Sequence, residues 1–144
     1  MKARNLDQET TLVSGSLFSG GGVGDVGIEW GVGIPVLAAC ELVPSRAALI
    51  RGNFPETKVF EGDVWTLQQD YVDYFRSKLK GRRPWLLTLS PPCQGMSSNG
   101  AGRISASIRS GKRPREDERN RLILPGINVL EQLQPDWFVL ENVR

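Results

Sequence analysis

Thr11-Leu-Val-Ser-Gly-Ser-Leu-Phe-Ser-Gly-Gly-Gly-Val-Gly24 is the stretch on which the fold turns. Residues 11–18 are apolar, β-branched or small, the composition of a short buried strand. Gly20, Gly21, Gly22 and Gly24 then make a backbone-permissive turn, and Asp25 to Trp30 reads as a short helix. A strand, a glycine turn and a helix in that order form the opening unit of a nucleotide-binding α/β domain. Glycines let backbone approach a ligand, and the helix start offers free N–H groups. An ordinary tight strand-to-helix turn has the same appearance, so the reading needs support from further along.

The same alternation continues. Pro35 to Cys40 is a second strand, Lys58 to Phe60 a third, Trp85 to Leu89 a fourth and Asp136 to Leu140 a fifth. Ser45 to Asn53 reads as a helix with Ala47, Ala48 and Ile50 inward. Leu67 to Leu79 carries apolar residues at 67, 71, 72, 75 and 79, one helical face. Arg119 to Leu133 is helical in pattern, with Pro125 expected to kink or split it. Five strands separated by helices, apolar on both faces, predict a doubly wound, mostly parallel sheet covered on both sides. Residues 1–10 are read as a tail and 11–144 as one domain. Residues 94–118, rich in Gly, Ser and Arg, are read as a long mobile loop.

Composition removes several chemistries. The 144 residues include no histidine, so neither a Ser-His-Asp triad nor a His-ligated metal is expected. Two cysteines, Cys40 and Cys93, build no disulfide framework and no thiolate zinc cage. No apolar run approaches the ~20 residues of a membrane span, and the first ten residues lack a signal-peptide core. The expectation is a cytoplasmic protein with reduced thiols and no membrane association. With 18 basic against 16 acidic residues, the net charge of +2 argues for no particular partner.

Strand ends carry the chemistry. Glu41 follows the second strand about 20 residues beyond the glycine turn, where an acid accepts from ribose hydroxyls. Asp63 ends the third strand, where a carboxylate can hold an adenine amino group. Each acid taken alone reads equally as a solvated strand end or a helix cap. Together they favour an adenosine-containing ligand, because such folds place ligands outside the carboxyl ends of the strands. Ser90-Pro-Pro-Cys-Gln-Gly-Met-Ser97 follows the fourth strand, with Cys93 on a proline-stiffened approach. A nucleophilic thiol needs access, which this position provides. Cys40, closing an apolar strand, is read as a small buried hydrophobe. The fifth strand ends in Glu141-Asn142-Val143, putting a proton donor or acceptor beside Cys93.

These motifs resemble those of the DNA (cytosine-5)-methyltransferase family. Leu17-Phe18-Ser19-Gly20-Gly21-Gly22 is similar to its Phe-x-Gly-x-Gly cofactor loop, and Gly62-Asp63-Val64 to its adenine-contacting segment. Pro92-Cys93-Gln94, with Ser97 and Gly100 following, resembles its catalytic loop. Asp117-x-Arg119-x-x-Leu122 and Glu141-Asn142-Val143 complete six motifs in order. One tetrapeptide at ~5% per position recurs by chance about once in 10⁵ windows, so the ordered set is specific. Three departures stand out: Ser16 where the family often has an acid, Val23 for a glycine, and Gly95-Met96 for Pro-Phe.

The resemblance implies a Rossmann-like fold using S-adenosyl-L-methionine, with double-stranded DNA as substrate. It implies cofactor contacts from Phe18, Ser19, Gly20, Gly22, Glu41, Leu42, Asp63, Val64 and Pro92. Cys93 and Glu141 would be catalytic, Gln94, Ser97, Asn142 and Arg103 would face DNA, and no metal is implied. Cations Arg103, Arg109, Lys112, Arg113 and Arg115 suit phosphate contacts, though a solvated loop carries such charges too. The family's later Gln-x-Arg-x-Arg motif and its target-recognition region are not among these residues. A second polypeptide or self-association is therefore expected, and no sequence-specific methylation by this chain alone. Two alternatives remain open: a non-catalytic cofactor- or partner-binding piece, and a nicotinamide dehydrogenase reading Gly20, Gly22 and Glu41 as a dinucleotide fingerprint.

Overall fold

The computed structural model describes residues 12–92, 111 and 121–142. Five strands form one parallel sheet: β1 (Ser14–Leu17), β2 (Val36–Glu41), β3 (Lys58–Glu61), β4 (Leu86–Leu89) and β5 (Trp137–Leu140), ordered β3-β2-β1-β4-β5. Between them run α1 (Val23–Val26), which continues as a π-helical stretch over Gly27–Val32, then α2 (Pro44–Asn53), α3 (Val64–Leu79) and α4 (Ile123–Leu133). The sheet order reverses between β1 and β4, so the fold is the doubly wound, Rossmann-like one. None of the described helices is long and apolar enough to cross a membrane.

Register fixes what emerges together. Leu17 pairs with both Cys40 and Leu89, and Leu89 with Leu140. Phe18, Glu41, Ser90 and Glu141 therefore leave the sheet at one edge. The amide of Ser90 donates to the Leu17 carbonyl (3.2 Å) and that of Glu141 to the Leu89 carbonyl (2.9 Å), which carries the ladder one residue further.

The main core lies between the sheet and α3. Tyr71, Val72, Phe75 and Leu79 line its buried stripe and meet Leu17, Leu87 and Leu89 from the strands and Val129 and Leu133 from α4. Gly15 makes this fit possible: a Cβ there would fall 2.5 Å from Phe75 and collide with Tyr71. On the opposite face a smaller cluster joins Ala39, Ile50 and Phe54.

Three expectations need correction. Pro125 neither kinks nor splits its helix, because α4 begins at Ile123 and the proline falls in the first turn. N–H groups there have no intrahelical partner, so a missing one is tolerated. Ala48 is exposed, and only Ala47 and Ile50 turn inward from α2. The sheet is covered on both faces only at its centre: β1 and β2 are buried throughout, whereas all four residues of β5 are exposed.

Candidate active site

The turn after β1 is built by backbone that favours glycine. Gly20, Gly21 and Gly22 have φ of 57°, 86° and 83°, the left-handed region that L side chains rarely adopt. Gly22 adds a steric reason, since a Cβ there would sit 2.9 Å from the Phe54 ring. Phe18 also has positive φ, 59°, strain of the kind that collects at functional turns. Ser19 ties the turn to β2, its amide donating to the Cys40 carbonyl at 3.2 Å.

Glu41 is the anchor of the site. It is only 4% exposed, and its carboxylate accepts from two backbone amides, Oε2 from Gly20 (2.8 Å) and Oε1 from Val43 (2.9 Å). The glycine turn and the β2–α2 connection are thereby clamped by one side chain. A carboxylate offers about four acceptor positions, so two remain for a ligand hydroxyl pair. Asp63 caps α3, its Oδ1 accepting from the Trp65 amide at 2.9 Å, and it also faces the same space.

That space is a cavity of about 330 Å³ outside the carboxyl ends of β1 to β4. Of the residues expected to hold a cofactor, Phe18, Gly20, Glu41, Leu42, Asp63, Val64 and Pro92 line it. Ser19 and Gly22 do not: Ser19 is held under the turn, and Gly22 packs on α2. The walls also include Val43, Arg46, Gly62, Ser90 and Leu122. Sequence reading passed over Val43 and Arg46, although their position directly after β2 was a usable signal. Apolar walls with a few convergent polar groups are the usual make-up of a small-molecule site. Two carboxylates for hydroxyl and amino donors, set among apolar walls, fit the chemistry of an adenosine-containing cofactor.

The two cysteines differ in what can be said of them. Cys40 is buried, and burial, with Glu41 and then Asp63 adding their charges, pushes its thiol up to about 12. That shift disfavours the thiolate a nucleophile needs. Cys93, Gln94, Ser97 and Arg103, with the 1–10 tail and all of the 94–118 loop but Gly111, lie outside the described residues. Pro92, immediately before Cys93, lines the cavity. Glu141 is exposed at the end of β5, beside the end of β4 from which the Ser90-Pro91-Pro92 segment departs, and Asn142 follows it.

Sequence reasoning also missed Asp25. This carboxyl is 2% exposed on α1 and accepts from the Ser16 hydroxyl at 3.0 Å. Burial pushes it up to about 6, the Ser16 bond working against that shift and the nearby Glu29 charge adding to it.

Comparison with known proteins agrees with this geometry. The family model described as C-5 cytosine-specific DNA methylase matches residues 13–144. The type II methyltransferase M1.HgaI of Avibacterium volantium is 34% identical over 128 residues, covering 89% of this chain and 33% of the relative. M.AquIA of a Picosynechococcus strain is 33% identical over 129 residues, covering 90% and 47%. Among solved structures, a candidate DNA modification methyltransferase encoded within an E. coli prophage superposes with a TM-score of 0.69. It is 26% identical and covers 92% of this chain and 32% of that one. The S. pombe Dnmt2 methyltransferase, 20% identical with a TM-score of 0.62, shares the fold. The chain spans about one third to one half of the length of these curated relatives. The family match runs across the Pro-Pro-Cys-Gln and Glu-Asn-Val stretches, which a dinucleotide fingerprint leaves unexplained. The chain belongs to the C-5 cytosine-specific DNA methylase family.

Proposed function

We propose that this chain forms the cofactor-binding and catalytic half of an enzyme that methylates C5 of cytosine in double-stranded DNA. The observation that carries the reading is the convergence of Phe18, Glu41, Asp63, Val64 and Pro92 on one cavity in a member of this family. Glu41 is the residue to hold the ribose hydroxyls and Asp63 the adenine amino group, with Phe18, Gly20, Leu42, Val64 and Pro92 as walls. When bound there, S-adenosylmethionine supplies a methyl group activated by its sulfonium.

The protein's own groups solve the remaining difficulty, that cytosine C5 is a poor nucleophile. The Cys93 thiolate adds to C6, and Glu141 donates to N3 as negative charge develops there, leaving an enamine that is electron-rich at C5. After C5 is alkylated, a base removes its proton and the Cys93 thiolate leaves C6, restoring the aromatic ring. C6 is out of reach within a duplex, so the target cytosine is flipped out of the stack. Gln94, Ser97, Asn142 and Arg103 are assigned to the extruded base and nearby backbone. The relatives are type II methyltransferases, which supports a role as the modification partner of a restriction system.

Target recognition calls for contacts beyond this cavity. Phosphate contacts alone give salt-sensitive binding without sequence preference, whereas base-edge contacts specify a site. The outer edge of β5 is the place for further protein, whether more of the same polypeptide, a second polypeptide or another copy. Among the described residues β5 pairs only with β4 and exposes Trp137, Phe138, Val139 and Leu140.

The test is tritiated methyl transfer to duplex DNA, with trapping on 5-fluorocytosine. With the recognition half supplied, turnover and a covalent adduct are expected, both lost in Cys93→Ser and the adduct retained in Cys40→Ser. An adduct that survives Cys93→Ser and vanishes in Cys40→Ser overturns the assignment of the nucleophile.

A further inference from the structure

Beneath the glycine turn lies a chain of hydroxyls that ends on a buried acid. Ser16 Oγ donates to Asp25 Oδ2 at 3.0 Å and is 2.7 Å from Ser19 Oγ. Ser19 Oγ is in turn 3.3 Å from the Cys40 carbonyl and 3.4 Å from that of Ser16. Asp25 stands on α1, immediately before the π-helical stretch, and Ser16 on β1. The chain therefore links the first helix, the central strand and the turn.

We infer that Asp25 is a positioning residue for the cofactor turn, its ionised carboxylate fixing the turn through the directed hydroxyls of Ser16 and Ser19. This rests on the cofactor reading above. A serine hydroxyl has one proton and two lone pairs. With Asp25 ionised, the Ser16 proton goes to Oδ2, so the 2.7 Å contact is donated by Ser19. Ser19 is then pinned to β1, and the Cys40 carbonyl is left to the Ser19 amide. With Asp25 protonated that fixed direction is lost: a proton on Oδ2 makes the carboxyl donate to Ser16 and Ser16 to Ser19, releasing the Ser19 proton, whereas a proton on Oδ1 leaves Ser16 donating to a weaker, neutral acceptor. For a released Ser19 proton the remaining acceptors are the Cys40 and Ser16 carbonyls, both at longer range and the first shared with Ser19's own N–H. Hydrogen bonds to a carboxylate are the stronger kind, so the ionised form holds the turn more firmly.

The groups around Asp25 leave it as the one whose charge moves the chain. Tyr71 from α3 is held well above its ordinary range by burial, and Cys40 from β2 is pushed up to about 12; both stay neutral. Glu29, in the next helical turn, accepts from the Val36 amide (3.0 Å). Ala47 and Ile50, the buried residues of α2, and Phe54 just after it carry no charge.

The experiment titrates S-adenosylhomocysteine into the full-length protein by calorimetry between pH 7.5 and 5. A carboxyl near 6 that must be ionised weakens binding about tenfold from pH 7 to pH 5. That fall is expected in the wild type and in Ser16→Thr, which keeps the hydroxyl. It should disappear in Asp25→Asn and in Ser16→Ala. If Asp25→Asn fails to fold, Ser16→Ala carries the comparison. A ligand-free arm follows the Ser19 and Gly20 amide resonances, which should titrate with a midpoint near 6 in the wild type and stay flat in Ser16→Ala. Absence of binding at every pH overturns the cofactor reading and leaves the amide titration to decide this inference. An unchanged pH slope in both variants, or amides that titrate equally in Ser16→Ala, overturns it.

Discussion

β2 and β5 are both short apolar strands of one parallel sheet, yet they meet opposite environments. Val36–Glu41 is buried along its whole length, whereas Trp137–Leu140 is exposed along its whole length, Trp137 at 64%. Strand character is local, arising from β-branched and aromatic residues bounded by turn signals. Burial is set by neighbours: among the described residues β2 lies between β1 and β3 with helices over it, and β5 has β4 alone. The functional groups follow the same division. Phe18 follows and Glu41 ends strands buried along their length, Asp63 follows the half-exposed edge strand β3, and Glu141 stands at the end of the exposed β5.

The largest effects should therefore come from the buried side. Phe75→Ala, which empties the space between α3 and the sheet, is expected to cost about 3–5 kcal/mol. Phe138→Ala on β5 should cost under about 1 kcal/mol. Denaturant unfolding of the two variants measures the contrast, and equal losses would break it.

Asp25 gives the next largest effect, with a sign that distinguishes it from a buried ion pair. Its carboxyl ionises near 4 in the unfolded chain and near 6 in the fold. Between those values the folded state keeps the proton and the unfolded state does not, so this group's contribution falls as pH rises from 4 to 6. The full difference at pH 7 is on the order of 3 kcal/mol. Asp25→Asn should accordingly be more stable than wild type at pH 7, by about 1–3 kcal/mol, and equal to it near pH 4. Melting curves across that range test the sign; a variant less stable at pH 7 would contradict it.

The smallest effect on stability and the clearest on association belongs to β5. Val139→Lys should change stability by less than about 0.5 kcal/mol, since the side chain is half exposed already. An open apolar edge invites pairing with another chain, and a lysine on it discourages pairing. Sedimentation of the wild type should show concentration-dependent association that the variant reduces.

How much of this was legible in the sequence follows the same line between local and non-local. The five strands and their order along the chain could be read because each is a short apolar run punctuated by Gly, Pro or charge. Glu41 and Asp63 could be placed because strand ends in a parallel sheet face one crevice. Pro125 was misjudged because its effect depends on where the helix starts, two residues away. Ala48 and β5 were misjudged because periodicity reports which residues are apolar and not what covers them. Asp25 was invisible for a similar reason: an acid in a first helical turn is ordinarily a surface residue favoured by the helix dipole. Only packing against Ser16 reveals it as buried.

The central claim is that the cavity at the ends of β1 to β4 is the cofactor site, held by Glu41 and Asp63. Calorimetric titration of S-adenosylhomocysteine into wild type, Glu41→Ala and Asp63→Ala tests it most directly. One site is expected, weakened about tenfold or more in each variant, the loss of a hydrogen bond to a charged group being worth roughly 1.5–3 kcal/mol. Glu41→Ala should lose more, since it also releases the Gly20 and Val43 amides. Unchanged affinity in both variants would contradict the account.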